Sequence, residues 1–114
     1  MSILKIDHHP TLEEIKTLTQ EYPQYIKLSA DIEQQILYGG SRLHYDCEQL
    51  LISQHNSKTE NIWSGGINLI TKKIEFTAVA NIKPSVNNSS LEILDPKNRE
   101  KFKKIVEKFF PDYE

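Results

Sequence analysis

The apolar residues of this chain recur at two different periods. Near the start, Leu12, Ile15, Leu18 and Tyr22 are spaced at three- and four-residue intervals, which lines one face of a helix. Thr11 precedes the stretch, Glu14 follows three residues later as in a capping box, and Pro23 closes it, so a helix is predicted over 11–22. The segment "SILKI" ahead of it is a candidate short strand. The period then changes to two. Ile26, Leu28, Ala30 and Ile32 alternate with Lys27, Ser29, Asp31 and Glu33, which predicts a strand with one buried face. That strand either runs on to Tyr38 or turns near Gln34 and comes back.

Gly39-Gly40 breaks the pattern, and the next stretch reads two ways. Leu43, Cys47, Leu50 and Leu51 match a helix stripe. Leu43, Tyr45, Cys47 and Leu51 match a strand face spoiled by Gln49. "SQHNSKTEN" is a polar loop or hairpin tip. In "IWSGGINLI", Trp63, Gly65, Ile67 and Leu69 share a parity, and Gly65-Gly66 marks a bulge or a close backbone approach. "KIEFTAVANIKP" has the clearest alternation: Ile74, Phe76, Ala78, Ala80 and Ile82 against Lys73, Glu75, Thr77 and Asn81. It predicts a strand ended by Pro84 and paired antiparallel with the strand before it. "SVNNSSLEIL" is a loop. Asp95 then caps a last helix with Pro96 at its first position, and Phe102, Ile105, Val106 and Phe109 form its apolar stripe up to Pro111.

These elements predict one α+β domain over 1–114: an antiparallel sheet of about four strands, with the helices near 11–22 and 95–109 packed on one face. The expected core comprises Leu12, Ile15, Leu18, Ile26, Leu28, Ile32, Leu51, Ile67, Leu69, Ile74, Phe76, Ala78, Phe102, Ile105 and Phe109. An apolar fraction of 38% and a charged fraction of 26% fit a modest core under a well-solvated surface. A formal charge of −2 provides no global attraction to nucleic acid or membrane, and neither is expected as a partner. No apolar run approaches the roughly 20 residues that span a bilayer. Cys47 is the one cysteine and cannot form an internal disulfide, which suits a reducing compartment. "MSILKIDHHP" carries no export signal, so the cytoplasm is the expected location.

Candidate chemistry is concentrated in "GGSRLHYDCEQLL". If that stretch is a strand, His44, Asp46 and Glu48 project to one face, roughly 6–7 Å apart. Asp31 and Glu33, and Glu75 and Asn81, occupy the polar parity of two further strands, and Trp63 lies near. Imidazole with carboxylates suits zinc, manganese or iron. The plain alternative is the solvated face of a sheet covered by helices on its other side, and alternation by itself predicts that alternative. His8-His9 and His55 read as solvated connectors. Cys47 faces away from His44 on a strand and reads as a small buried thiol. The lysine-rich last helix reads as a solvated face that complements the helix dipole. No phosphate-binding glycine loop, nucleophile elbow or paired-cysteine motif is present.

The order of motifs also resembles a family of short bacterial and archaeal proteins catalogued as a domain of unknown function. The pieces are Asp31-Ile32-Glu33, Gly39-Gly40, Leu43-His44, Asp46, Glu48, Leu50-Leu51, Ile62-Trp63, Gly66-Ile67-Asn68, Ile74-Glu75-Phe76, Asn81-Ile82, Pro84, Asp95-Pro96, Arg99 and Lys101, spanning about residues 28–105. The chain departs from that pattern at Lys83, where the family reads Arg, at Asn61, where it reads an acid, and at Asn87-Asn88, where it often reads Gly-Asn. Its segment after the tryptophan is also about one residue longer. Lysine at 83 offers a point charge in place of a bidentate fork. The resemblance implies no assigned chemistry or cofactor. It favours a hairpin over 43–69, hence strand at 42–53, with helix still open. The resulting expectation is a non-catalytic binding or interaction domain, with Asp31, Glu33, His44, Asp46, Glu48, Trp63, Glu75 and Asn81 as the candidate face. The alternative is a metal-dependent hydrolase or nuclease using the acidic residues of that face. A third reading is self-association through a sheet edge or an exposed Trp63.

Overall fold

The computed structural model describes residues 2–114. Its elements are β1 (Leu4–Ile6), α1 (Leu12–Leu18), β2 (Tyr25–Asp31), β3 (Ile36–Gly39), α2 (His44–His55), β4 (Ile62–Asn68), β5 (Lys73–Glu75) and α3 (Pro96–Phe109). Single 3-10 turns occupy Thr59–Asn61, Val79–Asn81 and Pro84–Val86. One five-stranded sheet runs in the order β1-β3-β2-β4-β5, with every pair antiparallel. No described helix is long and apolar enough to cross a membrane.

Two hairpins are closed by the same local device. Asp31 Oδ1 accepts hydrogen bonds from the backbone N–H groups of Glu33 and Gln34, and Gln35 sits at φ +60° with its N–H on the Asp31 carbonyl. Asn68 Oδ1 accepts from Ile70 and Thr71, and Lys72 sits at φ +59° with its N–H on the Asn68 carbonyl. An Asx side chain at the strand end thus organises each reversal. The sequence alternative of a turn near Gln34 is the one adopted. Gly40, at φ +87°, is in the left-handed region, and a Cβ there would collide with the Ser2 carbonyl.

α1 and α3 share one face of the sheet. Leu18, Phe102, Ile105, Val106 and Phe109 pack with Ile26, Leu28, Ala30, Leu37, Trp63, Ile67 and Ile74. The capping box of Thr11 and Glu14 and the Asp95 cap with Pro96 are both present as expected. α1 ends at Leu18 instead of Tyr22, and only its last turn reaches the core: Leu18 is buried, Ile15 partly so, and Leu12 is 83% exposed.

Two expectations are corrected. The stretch expected as strand at 42–53 is helix α2, and it covers the second face of the sheet, where Cys47 and Leu51 pack with Tyr38 and Ile62. That face is not a wet one. Ser29 and Ser64 stand opposite each other in register, are fully buried, and share a hydrogen bond of 2.6 Å. Their small side chains let the helix approach, and their mutual bond satisfies them there.

The second correction concerns residues 74–82. The strand stops at Glu75. The chain then leaves the sheet and pairs with its own later segment, Ala78 N–H to the Leu91 carbonyl and Ile93 N–H to the Phe76 carbonyl, before the turn at Val79–Asn81. Asn81 takes the place of the missing strand. Its Oδ1 accepts from Ser64 N–H at 2.9 Å, and its Nδ2 donates to the carbonyls of Ser64, Phe76 and Leu91. Asn88 likewise donates to the carbonyls of Asn81, Ser90 and Glu92 and accepts from Leu94 N–H. The segment from 76 to 94 is therefore an ordered flap on the edge of β4, held by two buried amides.

Candidate functional site

The flap and the start of α2 enclose a cleft of about 750 Å³, lined by Lys27, residues 43–45, Glu48, residues 77–80, Ile82, Lys83 and Leu91. Its apolar wall is unusual. Leu43, Tyr45, Val79, Ile82 and Leu91 are each between 43% and 75% exposed, and together they make up most of the large exposed apolar side chains among the described residues. A volume of this size falls within the range of small-ligand sites.

The polar groups lie at its base. His44 opens α2, and its Nε2 lies 2.8 Å from the Gly65 carbonyl. A carbonyl only accepts, so the ring proton is on Nε2 and Nδ1 is left with a lone pair. Burial pushes the imidazole pKa below its ordinary value, the Gly65 bond opposes this, and the charge of Lys27 adds to the depression. One turn on, Glu48 Oε1 lies 3.6 Å from Lys83 Nζ, with the two side chains 14% and 10% exposed. The same ammonium stands 5.9 Å from the Trp63 ring centroid. Lys27 Nζ donates to the Arg42 carbonyl at 2.9 Å and lies over the Tyr22 ring.

The other residues of the expected face are elsewhere. Asp46 borders a separate shallow cleft with Arg42, Glu21 and Gln49. Asp31 is buried at the β2–β3 turn, where burial pushes its carboxyl up and hydrogen bonds from Gln34, Ser57 and Glu33 outweigh that and hold it below the ordinary value. Glu33 pairs with Lys101 at 3.1 Å on the surface. Glu75 stands beside Tyr25, whose phenol pKa is raised by burial and by that carboxylate. Asn81 is committed to the flap. Trp63 is 2% exposed, so it presents nothing for self-association, and its Nε1 has no partner among the described residues. Only His44 and Glu48 of the eight share the cleft. No group of three or more His, Cys, Asp or Glu side chains is placed to hold a metal ion among the described residues.

The remaining histidines serve the fold. His8 bonds Asp7 and Glu14, His9 bonds the Phe109 carbonyl, and His55 bonds the Tyr38 hydroxyl. Cys47 is buried against Ser41, and burial pushes its thiol pKa up.

A family model for proteins of unknown function matches residues 4–109, nearly the whole chain. The chain belongs to that family, DUF5674. No curated protein and no solved structure matches it. In this DUF5674 chain, reasoning from sequence singled out Lys83 as a point charge and missed Val79, Ile82 and Leu91 as lining groups. The available signal was the presence of large apolar residues in a stretch that also carries Asn, Pro and Ser, where a solvated loop has no use for them.

The His44 shift has a consequence for stability. An imidazole with a depressed folded pKa binds fewer protons folded than unfolded, so its contribution is complete above the unfolded value of about 6.5 and is lost as pH falls toward the folded value. His44→Gln retains a donor near the Nε2 position and cannot titrate. The difference in urea midpoint between wild type and His44→Gln is expected to shift against the wild type between pH 7.5 and pH 5. A difference that stays constant across that range contradicts the assignment.

Proposed function

We propose that this chain is a single, non-catalytic binding domain and that its ligand seats in the cleft between the start of α2 and the flap. The observation that carries this reading is the concentration of exposed apolar side chains around that cleft, from both the start of α2 and the flap. Scattered surface leucines are ordinary, whereas a gathered set beside buried charges marks a recognition surface. The polar groups at the base suit binding more than chemistry. The His44 proton is committed to a carbonyl, and Glu48 and Lys83 are paired with each other. The binding reading is favoured over a metal-dependent hydrolase or nuclease because His44, Asp46 and Glu48 lie on a helix and Asp46 borders a different cleft from the other two. A reducing, cytoplasmic setting suits the lone buried thiol.

The test is a titration of 15N-labelled protein with 4-phenylbutan-1-ol, a neutral apolar probe, followed by NMR. Shift changes are expected to concentrate at residues 43–48 and 77–83. Val79→Asp with Ile82→Asp should remove them at a stability cost within about 0.5 kcal/mol per site, since both side chains are exposed. Changes spread over the surface, or none at millimolar probe, refute the cleft as the binding site.

A further inference from the structure

The geometry points to a small amphiphilic carboxylate as the occupant, its aliphatic or aromatic body on Leu43, Val79, Ile82 and Leu91 and its acid group on Lys83 in place of Glu48. This inference rests on the cleft being the binding site. Two ammonium groups, Lys27 and Lys83, line the cleft against one carboxylate, Glu48. The hydrogen bond of Lys27 goes to a carbonyl, and no carboxylate of the described residues pairs with its ammonium. Lys83 is nearly buried, and its ammonium is held against the Trp63 ring, which favours a cation there. Its contact with Glu48, at 3.6 Å, is longer than the roughly 2.7–2.9 Å of a charge-assisted hydrogen bond. Glu48 therefore acts as an internal counter-ion that keeps a buried ammonium paired without bonding it well. A carboxylate arriving from the open side can make the shorter contact, and the apolar wall beside it accommodates an attached hydrocarbon body. The cleft volume of about 750 Å³ suits a free molecule of this kind.

A matched pair of probes separates this inference from the reading beneath it. Calorimetric titrations at low salt compare 4-phenylbutyrate with 4-phenylbutan-1-ol. The carboxylate is expected to bind about tenfold tighter, the scale of one charge-assisted hydrogen bond. Lys83→Met should bring the acid down to the affinity of the alcohol, and Lys83→Arg should keep the preference. Glu48→Gln is nearly isosteric and provides an independent arm should Lys83→Met not fold. It is expected to tighten the acid and leave the alcohol unchanged. Equal affinities in the wild type, or a preference for the alcohol, overturn the carboxylate while leaving the cleft in place. Binding of neither probe overturns both. Acetyl-Ala-Ala-Phe with a free C-terminus carries the same acid on a peptide, and its binding tighter than 4-phenylbutyrate overturns the small-molecule source.

Discussion

Asn81→Asp is expected to destabilise the protein by about 4 kcal/mol, although it exchanges only an amide NH2 for an oxygen. The amide of Asn81 is fully buried and donates to three carbonyls, those of Ser64, Phe76 and Leu91. A carboxylate has nothing to donate. The Ser64 carbonyl loses its donor, those of Phe76 and Leu91 keep only the backbone N–H groups of Ile93 and Ala78, and a negative charge is placed among three negative ends of dipoles in a site that water does not reach. Protonation removes the charge but satisfies one carbonyl at most, so the loss should shrink at low pH without vanishing. Urea unfolding measures it, and hydrogen exchange locates it. Protection should fall first across residues 76–94 and at Ser64, because the side chain closes the edge of β4 at that point. A loss below about 1 kcal/mol means the flap is held by something other than this amide.

Gly65→Ala is expected to cost about 3 kcal/mol, at the upper end for overpacking. A Cβ on Gly65 would lie 2.0 Å from the backbone oxygen of Glu75 and 3.2 Å from Phe102. The nearer obstacle is backbone, which cannot rotate away as a side-chain end can. Relief requires β5 to move off β4, and β5 is only three residues long, paired with Gly66, Ile67 and Asn68. The loss should therefore appear as fraying of Lys73–Glu75 in hydrogen exchange, together with a lowered urea midpoint. A wild-type midpoint means β5 yields without cost.

Much of the architecture was legible because its causes are local. The capping box at Thr11, the Asp95-Pro96 start of α3 and the turn after Asp31 each depend on hydrogen bonds between residues no more than four apart. Alternation in β2 likewise reported burial against α1 and α3. The candidate site was less legible. Its acidic residues shared a parity in the sequence, but parity groups side chains in space only where the elements are strands, and His44, Asp46 and Glu48 are on a helix. There His44 and Glu48, one turn apart, line the cleft, and Asp46 between them borders another. Lys83 reaches Glu48 across 35 residues of chain, a proximity that no spacing rule encodes.

The sequence alone therefore determined the elements whose hydrogen bonds close within a turn or whose apolar period faces an apolar layer: the start of α1, β2, β4 and α3. The tertiary structure decided the rest. α2 packs on a sheet face that includes two serines, so its own stripe is weak, and only the presence of that face makes helix the better solution than strand. The alternation over 74–82 is real, but the partner of Phe76 and Ala78 is the 91–93 segment and not the sheet, a choice made by two asparagine amides whose acceptors lie up to 17 residues away. Periodicity matches burial at Ile74 and Ala78 and is inverted at Asn81, which is buried, and Ile82, which is exposed. It does not record which surface buries it, and in this protein that surface determines where the cleft opens.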